Sequence, residues 1–193
     1  MIPAANRYTV TLDASVLFPN MKRDVLLRFF EADLYRAQWT ERIQQEWLTN
    51  AIRTFPDKED RLLRTDSLMR THFDSAWVEE TEYAHLIDLV TLPDADDRHV
   101  VAAAIAGRSD YIVTDNLKHF PEAELSRFRL EVGSADKFLS GTLEHYPQIA
   151  LTVLAEHRQG LRSAPSPVEY IMLLRQRGLP RLAAHVHAHI GLI

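Results

Sequence analysis

No cysteine occurs in the 193 residues, and its absence removes disulfide scaffolds, thiolate nucleophiles and sulfur-ligated metals together. Any metal the chain binds must be held by oxygen or imidazole. Long apolar runs are missing too: none approaches the roughly 20 residues needed to span a bilayer, and the opening "MIPAANRYTVTL" has no basic segment followed by an apolar stretch. A soluble, cytoplasmic protein is therefore expected. The chain also lacks a basic excess. Its formal net charge is -5, so the overall field repels polyanions, and contact with a nucleic acid needs a local basic rim. Internal repeats, low-complexity tracts and a glycine-rich phosphate loop are absent as well.

What is present is an alternation of strand and helix patterns. "YTVTL" alternates apolar and polar residues with β-branched side chains and stops at Asp13, which predicts a strand delivering a carboxylate at its C-terminal end. "MKRDVLLRFFEADLY" spaces Val25, Leu26, Phe29, Phe30 and Leu34 as a helix does. "RAQW" is a short second strand, and Thr40 then caps a helix with Ile43, Trp47, Ala51 and Phe55 on one face and Glu46 among them. Residues 57–74 and "EETEYAHLIDLV" are charged outer helices. Val100, Val101, Ala104 and Ile105 form the apolar face of a helix opened by Asp97, with Gly107 supplying a left-handed C-terminal residue. Tyr111 to Thr114 is a buried strand, Leu130 to Val132 a last one, and a helix starts at Ser134. Helices broken by "SAPSP" and "GLP" fill the remainder. This order predicts an α/β fold with a mostly parallel sheet, in which sites form beyond the C-terminal strand ends. A boundary is expected near residue 140, dividing a 1–140 domain from a 141–193 helical extension.

Four acids converge in that topology: Asp13 and Asp115 after strands, Glu46 on a helix, and Asp97 opening one. Each has an ordinary explanation alone. Asp97 is a natural N-cap, Asp94 and Asp96 solvate the loop, Glu46 sits on a helix surface, and Asp115 forms a turn. As a set they repel, unless a cation intervenes. With oxygen donors and no thiol, the fitting ions are Mg2+ or Mn2+, and the chemistry they serve is in-line attack on a phosphodiester.

The segments "LDASVLFP", "TERIQQEW", "DDRHVVAAAIAG" and "YIVTDNLKHFP" resemble, in order and spacing, the four acidic blocks of the PIN-domain family, with the VapC-like toxins as the nearest branch. The resemblance covers residues 8 to 140. It implies a three-layer α/β/α domain and a Mg2+- or Mn2+-dependent ribonuclease. It implies too a VapB-like antitoxin partner inserted into the active-site groove and homodimerisation. Carried over, Asp13, Glu46 and Asp97 are the first three acids. The fourth block is ambiguous, because the family places Asp or Asn where this chain has Asn116, whereas its carboxylate is Asp115. Thr114 either hydrogen-bonds a metal ligand or is satisfied by backbone. The C-terminal helices, with "VEYIMLLRQRGL" amphipathic, resemble the extension of a longer VapC-like subset and could cover the core, form a dimer contact or dock the antitoxin.

Arg7, Lys22, Arg23, Arg98 and Lys118 are the candidate phosphate contacts, weighed against plain solvated charge. His99 and His119 are candidates for proton transfer or for structural roles. His185 and His189 have zinc-compatible spacing, but no third ligand is evident and no Glu follows His185. Two other readings compete: a non-catalytic PIN-like module binding RNA or protein, and a receiver-type phosphoryl-transfer protein. The second is weakened by the absence of an Asp two residues after Asp13.

Overall fold

The computed structural model describes residues 8–193, so Arg7 of the expected rim lies outside the described residues. Along the chain run β1 (Thr9–Leu12), α1 (Ala14–Leu17), α2 (Asn20–Glu31), β2 (Arg36–Gln38), α3 (Glu41–Thr54) and α4 (Glu59–His72). There follow α5 (Glu80–Tyr83), α6 (Arg98–Ala106), β3 (Tyr111–Val113), α7 (Glu122–Leu125) and β4 (Glu131–Gly133). Four helices end the chain: α8 (Ala135–His145), α9 (Pro147–Gly160), α10 (Pro167–Gln176) and α11 (Pro180–Ala188). Cα packing groups them into two compact units, one of residues 8–18 and 36–133, the other of 19–35 and 134–193.

The first unit holds the sheet. Its four strands lie in the order β2-β1-β3-β4 and every pairing is parallel. The expected α/β class is thus present, with a sheet that is wholly parallel among the described residues. β1 is flanked on both sides, and Val10 and Leu12 are fully buried, as a central parallel strand requires. Leu12 lies opposite Val113, so β1 and β3 end side by side. The chain leaves β1 for β2 on one side and returns to β3 on the other, which makes their C-terminal ends the switch point where α/β sheets open a crevice. α6 packs against both strands, and Val100 to Ala104 are all completely buried; its small side chains allow the close approach.

Three sequence expectations are corrected in this unit. Gly107 is not left-handed: its φ is -78°, and the positive φ falls on Arg108 at 53°. A Cβ at Gly107 would stand only 2.1 to 2.4 Å from the Gln38 amide group, which would have to move to admit one. That amide is fixed in the core, with Nε2 donating to Thr11 Oγ1 at 3.1 Å and Ser109 Oγ at 2.6 Å. Asp97 begins α6 but makes no side-chain cap bond; Asp94 caps the preceding 3-10 turn instead, accepting from Asp96 N at 3.0 Å. The last strand runs one residue later than expected, at Glu131–Gly133.

The second unit is helical. α2 packs with α8 and α9, and α11 with α8 and α10. Tyr35 ties the α2 end to α8, its hydroxyl donating to Leu26 O at 2.9 Å and its ring meeting Phe138 edge-on at 4.8 Å. Asp136, nearly buried, caps α11 by accepting from the Arg181 and Leu182 backbone amides at 3.0 Å. His157 hydrogen-bonds the buried Tyr170 hydroxyl through Nδ1 at 2.8 Å. No described helix is long and apolar enough to cross a membrane.

Candidate active site

The candidate site grows from the register of β1 and β3. Because Leu12 faces Val113, the next residues, Asp13 and Thr114, meet at the sheet edge, with Asp13 N donating to Val113 O at 3.0 Å. The Asp13 side chain is 4 % exposed. Its Oδ2 accepts from the Ser15 hydroxyl at 2.5 Å, the Thr114 hydroxyl at 2.7 Å and the Ser15 amide at 3.4 Å. Each hydroxyl spends its one hydrogen on Asp13 and accepts in turn: Thr114 Oγ1 from Asn116 N at 3.0 Å, Ser15 Oγ from Asp115 N at 3.0 Å. Thr114 thus bonds the candidate ligand Asp13 and a backbone amide at once. Among the described residues, every hydrogen bond on the Asp13 carboxylate falls on Oδ2, which leaves Oδ1 for a ligand.

Asp97 comes from the other side, carried on the buried α6. Its Oδ2 lies 2.7 Å from His119 Nδ1, and the same nitrogen is 3.7 Å from Asp94 Oδ2. Asp94, Asp97 and His119 each offer a ligand atom within 4.8 Å of the others. Partial burial pushes the Asp97 carboxyl above its ordinary range; the charges of Asp13 and Asp94 add to the rise, and His119 opposes it. The influence of Asp13 on Asp97 places the two acids in one electrostatic neighbourhood.

Glu46 arrives on α3, whose N-terminus is capped by Thr40, the hydroxyl oxygen accepting from Ile43 N at 3.2 Å, and whose Ile43, Trp47 and Ala51 are buried. Its Oε1 is gripped twice at 3.1 Å, by Arg42 Nε and by His99 Nε2. Burial pushes the Glu46 carboxyl up, but His99 and Arg42 together outweigh it and hold the group below the ordinary range. Arg42 also donates to Asp96 O at 3.2 Å, and His99 belongs to α6, so Glu46 is tied to the segment that carries Asp97.

Asp115 and Asn116 stand at the rim with exposed side chains, their amides turned inward to Ser15 and Thr114. Of the expected phosphate contacts, Arg98 and Lys118 lie in this unit, Lys118 exposed beside His119. Lys22 and Arg23 belong to the helical unit, and Arg23 is buried, so its reading as a rim cation fails. His185 is paired with Glu144 at 3.0 Å, while His189 Nδ1 bonds its own helix at His185 O; no described metal-capable group includes them. The sequence reading overlooked Ser15 and Arg42, and treated Asp94 as loop solvation. The hint for Ser15 was its place two residues after Asp13, where hydroxyls fold back onto an aspartate.

Carboxylate oxygens suit a hard divalent cation, but the metal-capable group among the described residues is Asp94, Asp97 and His119 and includes neither Asp13 nor Glu46. Asp13, Asp97 and Glu46 each have one oxygen held by the protein and one outside those hydrogen bonds. Among the described residues neither Asp13 nor Asp97 pairs with a lysine or arginine; the basic side chain beside Asp97 is His119, through Nδ1.

Residues 9–118 match the family model described as PIN domain. That is more than half of the chain, and the chain belongs to the PIN-domain family. Residues 135–188 match the family model described as VapC50 C-terminal domain. A curated relative, "Putative ribonuclease VapC50" of Mycobacterium tuberculosis (strain ATCC 25618 / H37Rv), is 41% identical over 58 residues. The match covers 30% of this chain and 34% of the relative, about a third of its length. No solved structure matches.

Proposed function

We propose that this chain is a metal-dependent endoribonuclease that cleaves RNA phosphodiester bonds as the toxin of a type II, VapBC-like toxin-antitoxin pair. The observation that carries the reading is the half-occupied state of its acids: Asp13, Asp97 and Glu46 each keep one oxygen outside the protein's hydrogen bonds, Asp13 at the C-terminal end of a parallel strand. The PIN-domain membership and the name of the mycobacterial relative support it.

A bound Mg2+ or Mn2+ would neutralise the charge developing on the phosphodiester oxygens. Asp13 Oδ1 and the free oxygens of Asp97 and Glu46 are its candidate ligands, some of them acting through water. Glu46, whose carboxyl His99 and Arg42 hold below its ordinary range, is suited to bind the cation or to orient the attacking water as a hydrogen-bond acceptor. Asp115 is the candidate fourth acid, with Asn116 as the alternative water-orienting group, and Thr114 keeps Asp13 aligned. Arg98 and Lys118 are the candidate contacts to RNA phosphates. The catalytic part is proposed to lie within residues 1–140, with 141–193 the helical extension, and the partners are a VapB-like antitoxin and a second copy of the chain.

The test is cleavage of single-stranded RNA by the purified chain with Mn2+ or Mg2+. Activity should vanish with chelator and fall by more than about a hundredfold in Asp13→Asn and in Asp97→Asn, since even outer-shell partners of a metal cost 10- to 100-fold. Full activity in both variants refutes the assignment. Absence of Mn2+ binding at millimolar metal favours the non-catalytic binding module.

A further inference from the structure

His99 is a buried polar side chain that packing alone does not explain. It is 1 % exposed, in the first turn of α6. Its Nε2 lies 3.1 Å from Glu46 Oε1, while its Nδ1 is sealed from solvent with no hydrogen-bond partner among the described residues. A buried ring nitrogen left unpaired makes the imidazole a poorer core residue than an apolar side chain of similar size. Stability gives no reason for it. The contact with Glu46 does.

We propose that His99 is a positioning residue: its proton resides on Nε2, is donated to Glu46 Oε1, and fixes the carboxylate so that Oε2 faces the candidate cation site. The inference rests on the reading of Glu46 as a site acid. Arg42 grips the same oxygen at 3.1 Å, but from one turn away on α3 itself, with a side chain 44% exposed and only an exposed contact to Asp96 O beyond its own helix. His99 reaches Glu46 from a different element. Its ring is locked in the core of α6, next to the buried Val100 and Val101 and two residues after Asp97. The bond therefore sets the spacing between two candidate ligand acids, Glu46 on α3 and Asp97 at the start of α6. A glutamate side chain has several rotatable bonds, and without a fixed donor it would sample positions in which it cannot share a ligand with Asp97.

Three substitutions separate positioning from packing. In His99→Gln the amide nitrogen can occupy the Nε2 position and still donate. In His99→Asn the amide reaches only the Nδ1 position, and in His99→Leu no donor remains. For each, the thermal midpoint of the metal-free protein, the Mn2+ dissociation constant by calorimetry, and kcat and KM on RNA are measured beside wild type and Asp13→Asn. We expect the leucine variant to melt no lower than wild type. The leucine and asparagine variants should bind Mn2+ about 10- to 100-fold more weakly, with kcat falling and KM for RNA unchanged. The glutamine variant should recover most of both. If His99→Leu lowers the melting point and binds Mn2+ as tightly as wild type, or if the glutamine and asparagine variants behave alike, the role of His99 is refuted while the site stands. If wild type itself shows no Mn2+ binding that Asp13→Asn abolishes, the reading of the site fails, and the inference with it.

Discussion

A carboxylate that is 4 % exposed, as Asp13 is, keeps its charge only where donors or a cation replace the lost water. Two hydroxyls supply part of that replacement, and each in turn anchors a backbone amide of the 114–116 turn. Replacing Thr114 by valine keeps the shape but removes a donor to a charged oxygen and strands the Asn116 amide. A loss of about 1.5 to 3 kcal/mol in the denaturant-derived stability is expected, together with weaker Mn2+ binding; a Thr114→Val protein as stable as wild type would contradict this account of the anchor. Asp13, Glu46 and Asp97 could be picked out in the sequence because a strand end, a helix face and a helix start each predict where a side chain goes. Ser15 left only the hint of its place two residues after Asp13, and the contact of Asp94 with His119 had no local signature.

At the scale of elements, α6 is the part on which the site depends most, and its C-terminal end shows how close the packing is. Gly107 has an ordinary φ of -78° but no room for a methyl group beside Gln38, which is bonded to Thr11 and Ser109. Gly107→Ala should therefore destabilise by about 1 to 3 kcal/mol, the usual range for overpacking, measured from denaturant midpoints; an unchanged midpoint would mean that the Gln38 network yields freely. The glycine was visible in the sequence, its reason was not, because the conflict is with a residue on a strand 69 positions earlier. In the helical unit, burial holds the His157 imidazole below its ordinary value of 6.5, with Arg28 adding to the fall and Asp24 opposing it. A histidine whose folded value is depressed contributes stability that is complete above the unfolded value and is lost as pH falls toward the folded one. Melting temperature should thus decline on acidification below about pH 6.5, and the decline between pH 7.5 and 5.5 should be smaller in His157→Gln. An identical slope in the two proteins would remove His157 from the explanation.

Over the whole molecule, the strand and helix order read from hydrophobic periodicity reappears in the structure, down to the parallel pairing of the strands, because the alternation of strand and helix leaves few other ways to connect them. What periodicity could not supply was the partition into units: 19–35 is grouped with the C-terminal helices rather than with the strands on either side of it in sequence. That grouping arises from long-range contacts such as the one between Tyr35 and Phe138. The net charge of -5 would repel a polyanion, so the proposed RNA cleavage leans on the local cations Arg98 and Lys118 and on a metal among the acids. The most direct test is anomalous X-ray scattering from crystals soaked in Mn2+. We expect a peak within about 2.5 Å of Asp13 Oδ1 and of an Asp97 oxygen, with Glu46 bound to it directly or through a water. A peak that no Asp13 oxygen reaches, or separate peaks at Asp13 and Asp97, would contradict that expectation.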